Sequence, residues 1–246
     1  MAGMTGVGRL EVIAFDAPDI GKLASFYEEL AGWRVVRTDS DWVAMRTPED
    51  KEVAFQRAPD HVPPQWPGQE RPQQFHLDLL VDGYEQAAKR AVELGATHLA
   101  DGATWITIAD PAGHPFDICQ RDGVGPAMDL YAVTIDAPDA SALAAFYAAV
   151  TGMEVTYDGE YGAQITGAGH RGVEYNVMFQ PVADFTPPQW PDPQHPQQAH
   201  LDIAVESVAE AEPRVVELGA TLVNRDANGF TVFADPAGHP FCLTVP

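Results

Sequence analysis

The sequence has few basic residues and few cysteines. Its 14 Lys and Arg stand against 36 Asp and Glu, which gives a formal net charge of −22 at pH 7. Nucleic-acid backbones and anionic membranes repel a protein of this sign, so we expect neither as a partner. The 2 cysteines, Cys119 and Cys242, do not indicate a disulfide scaffold.

Long hydrophobic runs are missing as well. No stretch reaches the about 18 consecutive apolar residues of a membrane span. The first residues, MAGMTGVGRLEV, lack the basic segment followed by an apolar one that marks a secretory signal. Hydrophobic residues nevertheless make up 46% of the 246 residues, enough for one large core or two smaller ones. We therefore expect a soluble, cytoplasmic protein.

The second half of the sequence repeats the first. The segment ADPAGHPF occurs at 109–116 and again at 234–241, and QQFHLDL at 73–79 returns as QQAHLDI at 197–203. Shorter repeats are DAPD, PPQWP, ELGAT and the pair Phe-Tyr. A repeat of this extent predicts two homologous domains. The predicted bounds are 8–120 for domain 1, 121–128 for a Gly- and Pro-containing linker, and 129–246 for domain 2.

Each domain divides again into two units of the order strand, helix, strand, strand, strand. Residues 10–15 are apolar and strand-like, and we expect Asp16 to cap a helix that ends at Gly32, with Asp136 as its counterpart. Asp82 is the expected cap of the helix in the second unit. Further strands are predicted at 33–37, 42–47, 52–56, 76–81, 105–109 and 116–120.

Four elements together resemble the vicinal oxygen chelate superfamily, the group of glyoxalases, bleomycin-resistance proteins and extradiol dioxygenases. They are the helix end FYEELAGW, the strand and cap FHLDLLVDG, the helix end ELGAT, and the turn DPAGHPF before a last strand. The resemblance implies an α+β fold of two tandem glyoxalase-like domains. Each would consist of two βαβββ units whose curved sheets form cups that hold a ligand and often a divalent metal. Local patterns leave open which of the four units pair to close a cup.

The resemblance also places the metal ligands of the family on this chain. The position on the first strand falls on Val12 and Ala132, neither of which can bind a metal. The position on the fourth strand falls near residues 55–56 and 179–180, where no carboxylate stands.

The remaining two ligand positions keep side chains that can coordinate. They fall on His76 and Asp117 in the first domain and on His200 and Cys242 in the second. His76 and Asp117 are therefore the candidate metal ligands, as an incomplete set, and a divalent metal is the cofactor to consider. Asp117 could instead face solvent from an edge strand, and Cys242 is typical of an inert, buried thiol.

Two His–Asp pairs are candidates for ligand binding. His76 and Asp78 share one strand face, as do His200 and Asp202, because side chains alternate along a strand. Each pair could act as a base, a hydrogen-bonding group or a metal anchor. The alternative is a structural polar pair inherited from a metal-binding ancestor. Asp16 and Asp136 could also face the cups, although the expected helix-cap role already accounts for them.

Four aromatic residues are further candidates. Trp66 and Trp190 lie in proline-rich stretches that could cover the mouth of a cup, or could instead bury the indole at a domain interface. Trp105 and its counterpart Phe230 could line the cups or belong to the ordinary core.

The other histidines are interpreted without a function. His114 and His239 lie in the DPAGHPF turn and are expected to be turn residues. We interpret the remaining four as surface or loop residues: His61, His98, His170 and His195.

Three classes of function follow from these residues. The first is a protein that holds a small, partly aromatic organic molecule in its cups without a complete metal site. The second is a metal-dependent lyase, isomerase or dioxygenase, and the third is a structural or regulatory protein without a small ligand. The expected partner is a small organic molecule, and the expected assembly is a monomeric pseudo-dimer or a homodimer.

Overall fold

The computed structural model describes residues 6–124, 127–192, 194–225 and 230–246. Within these ranges the chain passes four times through one strand, one helix and three strands, as the sequence predicts. The strands are β1 (Arg9–Ala17), β2 (Arg34–Thr38), β3 (Trp42–Arg46), β4 (Glu52–Arg57), β5 (Phe75–Val81), β6 (Thr97–Asp101), β7 (Trp105–Ala109), β8 (Pro115–Gln120), β9 (Asp129–Ala137), β10 (Glu154–Gly159), β11 (Gly162–Ala168), β12 (Glu174–Pro181), β13 (Ala199–Ala204), β14 (Thr221–Arg225), β15 (Phe230–Ala234) and β16 (Pro240–Thr244). The helices are α1 (Ile20–Ala31), α2 (Tyr84–Glu93), α3 (Ala140–Thr151) and α4 (Val208–Glu217).

The strands form two eight-stranded sheets, and each sheet joins one unit from either half of the chain. Sheet A has the order β14-β15-β16-β13-β1-β4-β3-β2 and combines the first unit with the fourth. Sheet B has the order β10-β11-β12-β9-β5-β8-β7-β6 and combines the second unit with the third. The central pairs, β1 with β13 and β5 with β9, are antiparallel. The swapped pairing of units is therefore the one that this chain adopts. Of the expected linker, residues 125–126 lie outside the described residues.

The helix caps differ from the prediction. Asp19, not Asp16, caps α1 and accepts a hydrogen bond from the Lys22 backbone N–H at 2.9 Å. Asp139, not Asp136, caps α3 in the same way. The prediction was wrong because each strand continues for two residues beyond the expected end, so that Asp16 and Asp136 belong to the strands and are buried. This frees both carboxyl groups for another role.

The cap of α2 is also different, since Gly83 occupies that position with a left-handed backbone and without a side-chain hydrogen bond. Asp82, which was expected there, precedes it. Each helix has 10 or 12 residues. In the described part of the chain, none is long and apolar enough to cross a membrane.

One face of each sheet packs against the helices, and the other face lines a cup. On β5 the alternation of side chains sends Phe75, Leu77 and Leu79 into the buried apolar core. His76 and Asp78 lie between them and therefore point to the opposite face. Burial of one apolar set thus fixes which polar side chains line the cup.

The repeated DPAGHPF turns are held by a buried carboxylate. Asp110 accepts hydrogen bonds from two backbone N–H groups of its own turn and lies 3.1 Å from His114 Nδ1. The Tyr27 hydroxyl, on α1, donates to the same carboxylate at 3.2 Å. Asp235 and Tyr147 repeat this contact at 2.9 Å. The interpretation of the turn histidines as turn residues is confirmed, and the Phe-Tyr repeat is explained by the hydroxyl that anchors each turn.

Candidate functional site

Cup B, the face of sheet B opposite the helices, contains a cavity of about 200 Å³. Four of the predicted candidates meet there: His76 from β5, Trp105 from β7, Asp117 from β8, and Trp66 from the proline-rich stretch that precedes β5. Trp105 is 39% exposed, so it belongs to the cavity wall and not to the core. The complete lining is Trp66, Gln73, His76, Trp105, Thr107, Pro115, Asp117 and Gln180.

The polar groups on the floor of cup B lie close together. His76 Nε2 is 4.0 Å from Asp78 Oδ1, while the other oxygen of Asp78 accepts a hydrogen bond from the Thr134 hydroxyl at 2.6 Å. Asp117 accepts a hydrogen bond from the Thr107 hydroxyl at 2.6 Å. One coordinating atom from each of His76, Asp78 and Asp117 falls within 4.8 Å of the others. Burial raises the pKa of Asp78 above its usual value of 3.8, despite the neighbouring imidazole and hydroxyl.

A third carboxyl group, that of Asp136, reaches this floor through an amide. Gln73 Nε2 lies 3.3 Å from Asp136 Oδ1 and 3.1 Å from His76 Nδ1, so the amide joins the two. Burial raises the pKa of Asp136 to about 6, although His76 and Gln73 act to lower it. The sequence interpretation missed Gln73 and preferred a helix-cap role for Asp136. The signal for them was the repetition of QQ before HLD and of DAPD, which the helix-cap assignment obscured.

The raised pKa of Asp136 predicts a pH-dependent effect of Asp136→Asn. Unfolding lowers the pKa of this carboxyl from about 6 to near 3.8, so its contribution to stability falls as the pH rises between these values. We expect Asp136→Asn to be more stable than the wild type at pH 8, by on the order of 1–3 kcal/mol. The difference should vanish near pH 3.5, below both pKa values. Urea unfolding across this pH range measures it, and an equal difference at both ends would contradict the assignment.

Cup A, the corresponding face of sheet A, repeats the same chain of polar groups. Gln197 Nε2 lies 3.0 Å from Asp16 Oδ2 and 3.5 Å from His200 Nδ1. His200 Nε2 is 3.5 Å from Asp202 Oδ1. Burial lowers the pKa of His200, but the hydrogen bond and the charge of Asp202 outweigh it, so the net shift is upward. Cys242 completes a set of three coordinating atoms within 4.8 Å, and burial raises its thiol pKa well above the usual range.

The two cups nevertheless differ on the side opposite their histidine-bearing units. The first unit supplies this side in cup A, and the third unit supplies it in cup B. In cup A, Val12, Ala44 and Ala54 form a small buried apolar cluster against which Val36 and Trp42 pack. The Trp42 ring lies 6.5 Å from the His200 imidazole. The His200 side of cup A is therefore covered by apolar side chains of the first unit.

In cup B the same positions are polar or small, except for Met178, the counterpart of Ala54. Gly162 begins β11, where Trp42 begins β3, and Gln164 pairs with Met178 where Ala44 pairs with Ala54. Gln164 Nε2 lies 3.3 Å from Asn176 Oδ1, and other polar groups of β9 and β11 extend the network. Because no indole covers the floor, the His76 side of cup B keeps its cavity.

The strand register also fixes the family's metal positions on β4 and β12. Phe55 is buried in the core and stacks against Tyr27, so the residues of β4 that face the cup are Ala54 and Gln56. The counterparts on β12 are Met178 and Gln180. The metal-ligand position expected near residues 55–56 therefore has only cup-facing side chains without a carboxylate. In each cup, the three coordinating atoms that lie within 4.8 Å of one another come from a single unit among the described residues.

The two proline-rich stretches are tied to each other. Gln74 and Gln198 exchange hydrogen bonds between each backbone N–H and the other side chain, both at 3.0 Å. Trp190 lines a second cavity, of about 190 Å³, together with Asp16 and Gln197. His200 and Asp202 do not line it. The side chain of Phe230 lies outside the described ones.

His61 lies in the loop between β4 and β5, as expected, but it is half-buried. Its ring lies 4.9 Å from that of His114, and its Nε2 is 3.1 Å from the Ala112 carbonyl oxygen. Burial lowers its pKa to about 4. Phe185 packs on His239 in the same way at 5.1 Å, so a ring packs on the turn histidine in both halves of the chain.

Larger open grooves lie outside the cups. One, of about 770 Å³, lies between the residues before β1 and α4, and another, of about 640 Å³, lies between α2 and β6. None of the candidate site residues lines either groove, although His170 and His98 do. The cups remain the candidate site because the polar groups converge there.

Comparison with known proteins identifies the family. The model of the glyoxalase-like domain matches residues 12–119 and 132–244. Glyoxalase I from Zea mays superposes with a TM-score of 0.66 at 16% identity, covering 96% of this chain and 92% of that chain. A putative dioxygenase from Bacillus subtilis subsp. subtilis str. 168 gives 0.62 at 15% identity, covering 98% and 86%. Comparison with curated proteins gives no match. At these identities the structural likeness shows the fold alone, whereas the family match covers both halves. The chain therefore belongs to the glyoxalase-like domain family, of which it carries two tandem copies.

Proposed function

We propose that this protein binds a small, partly aromatic organic molecule in cup B without a complete metal site. The observation that carries the proposal is the single cavity that brings Trp66, Trp105, His76 and Asp117 together. Indole faces stack on flat apolar groups, and the polar floor fixes orientation through hydrogen bonds. Cup A lacks this arrangement because Trp42 lies over its floor.

The size of the cavity limits the ligand. Pockets for drug-sized molecules measure about 300–1,000 Å³, whereas this cavity measures about 200 Å³. A ligand that fits is either small or inserts one ring while the rest extends past Trp66 and Trp105. Both tryptophans are partly exposed and therefore accessible from solvent.

A metal-dependent enzyme is the second candidate. It is supported by the three coordinating atoms of His76, Asp78 and Asp117 and by the fold shared with glyoxalase I and a putative dioxygenase. A metal held there would polarise substrate oxygens. At the family's other positions the opposite side of the cup offers Ala132, Met178 and Gln180, none of which is a carboxylate or an imidazole.

A thermal-shift screen with aromatic metabolites and antibiotics tests the proposal, because a ligand of the native state raises its stability. We expect compounds that stabilise the wild type and quench tryptophan fluorescence. His76→Ala should abolish the shift, while the matched variant His200→Ala should keep it. Binding lost only in His200→Ala would contradict the assignment to cup B. A library without any effect would favour a structural or regulatory role instead.

Elemental analysis of protein purified without chelator tests the second candidate. Stoichiometric divalent metal that disappears in His76→Ala would favour the enzyme. Protein that stays free of metal after incubation with divalent ions would exclude the metal-dependent enzyme.

A further inference from the structure

The Asp–Gln–His chain in each cup determines which ring nitrogen of the histidine carries hydrogen. An ionised carboxylate only accepts hydrogen bonds, so the oxygen of Asp136 must face the NH₂ group of Gln73 and not its carbonyl. The same NH₂ group lies 3.1 Å from His76 Nδ1. Nδ1 must then accept, which leaves the hydrogen of the neutral imidazole on Nε2.

The hydrogen on Nε2 points to the functional side of the cup. Nε2 is the ring nitrogen nearer to Asp78, and the His76 side chain, only 8% exposed, lines the cavity beside Asp117. In the second cup, His200 Nε2 faces Asp202 at 3.5 Å while Nδ1 faces Gln197. The two cups therefore agree on the tautomer although their walls differ.

Metal sites use the opposite arrangement. A histidine that coordinates a metal normally donates its other ring N–H to a carboxylate or a carbonyl oxygen, and this keeps the coordinating nitrogen free of hydrogen. Here the partner of Nδ1 is an amide donor, so Nε2 has no lone pair to offer. The surroundings of the two histidines do not fit a metal, independently of how many other coordinating groups lie nearby.

We propose that Gln73 and Gln197 are positioning residues that hold His76 and His200 as Nε2–H donors and thereby make each cup a hydrogen-bonding site instead of a metal site. For cup B, this rests on the proposed function and specifies it: the ligand is neutral and presents an acceptor oxygen, such as a carbonyl, to His76. A hydroxyl or amide hydrogen beside that oxygen would be accepted by the Asp117 carboxylate, which lines the cavity. An anionic ligand is disfavoured because the one charged side chain that lines the cavity is the Asp117 carboxylate, with neither Lys nor Arg beside it.

An exchange of two side chains tests this with a readout that needs no ligand. The double variant Asp136→Asn with Gln73→Glu keeps the net charge. It moves the carboxylate from position 136 to position 73, next to His76 Nδ1. Nδ1 should then donate and Nε2 should become free to coordinate. We expect the affinity for Zn²⁺ at pH 8, measured by calorimetry, to rise at least about 10-fold over the wild type. Adding His76→Ala to the double variant should remove the gain.

The tautomer itself is measured on the wild-type protein. Two-dimensional ¹H–¹⁵N spectra of the histidine rings at pH 8 should show the Nε2–H form for His76 and His200. An Nδ1–H form at both histidines, or a folded double variant that binds Zn²⁺ no tighter than the wild type, would overturn the proposal. If the variant in cup B does not fold, the matched exchange Asp16→Asn with Gln197→Glu gives the same test in cup A. A failed ligand screen with the expected tautomer would overturn the proposed function alone.

Discussion

Asp110→Ala is expected to lower the free energy of unfolding by about 3–5 kcal/mol, because each buried donor left without a partner costs about 1–3 kcal/mol. The carboxylate is 5% exposed and lies within 3.2 Å of four donors, two of them backbone N–H groups of its own turn. The Tyr27 hydroxyl and His114 Nδ1 are the other two, and both are buried with it. The alanine variant supplies no acceptor, and water cannot reach the vacated position freely. Equilibrium urea unfolding at pH 7.5 measures the change.

Two variants control this experiment. Glu160→Ala removes one negative charge from an exposed turn and should change stability by less than about 0.5 kcal/mol. Asp235→Ala should repeat the loss seen at Asp110, since its carboxylate holds Tyr147 and its own turn in the same geometry. A loss below about 1 kcal/mol in both aspartate variants would show that packing of the turns, and not the carboxylates, fixes them.

Much of the fold could be predicted because its signals are local or repeated. The alternation of apolar residues in β5 and β7 fixed which side chains share a face, and His76 and Asp78 lie as that rule requires. The repeat predicted four equivalent units, which the structure contains. The pairing of those units could not be predicted, because β1 joins β13 through contacts between opposite ends of the chain. Neither strand carries a local pattern that distinguishes this partner from another.

The errors at the site have a common physical cause. Asp16 and Asp136 precede helices, and an acidic residue in that place is typical of a cap. Each strand continues past them, so the next aspartate of the DAPD motif caps the helix and the first becomes a buried partner of a glutamine. Strand ends depend on tertiary pairing, here with β4 and β12, and single-sequence patterns do not contain it. A motif with two aspartates can therefore supply a structural residue and a site residue at once.

The sequence places Asp117 and Cys242 at the equivalent position of the two cups, but the larger difference between the cups lies elsewhere. Trp42 covers the floor of cup A, whereas Gly162 leaves the corresponding part of cup B open. Both residues begin a strand in equivalent units, so the comparison required the register of the sheets. The outcome is one cup with a cavity at its histidine and one whose apolar residues pack over it.

Trp105→Ala is expected to weaken the binding of the strongest compound from the screen by about 30-fold, which corresponds to about 2 kcal/mol for an aromatic anchor. Trp66→Ala should act in the same direction, because both indoles line the cavity above His76. Trp190→Ala is the matched control, since its indole lies at the other cavity, and it should leave the affinity unchanged within about 2-fold. Titration followed by calorimetry measures all three variants. Trp105 is 39% exposed, so its removal should leave the thermal unfolding temperature close to that of the wild type. A folded Trp105→Ala protein with unchanged affinity, or a loss confined to Trp190→Ala, would place the ligand outside cup B.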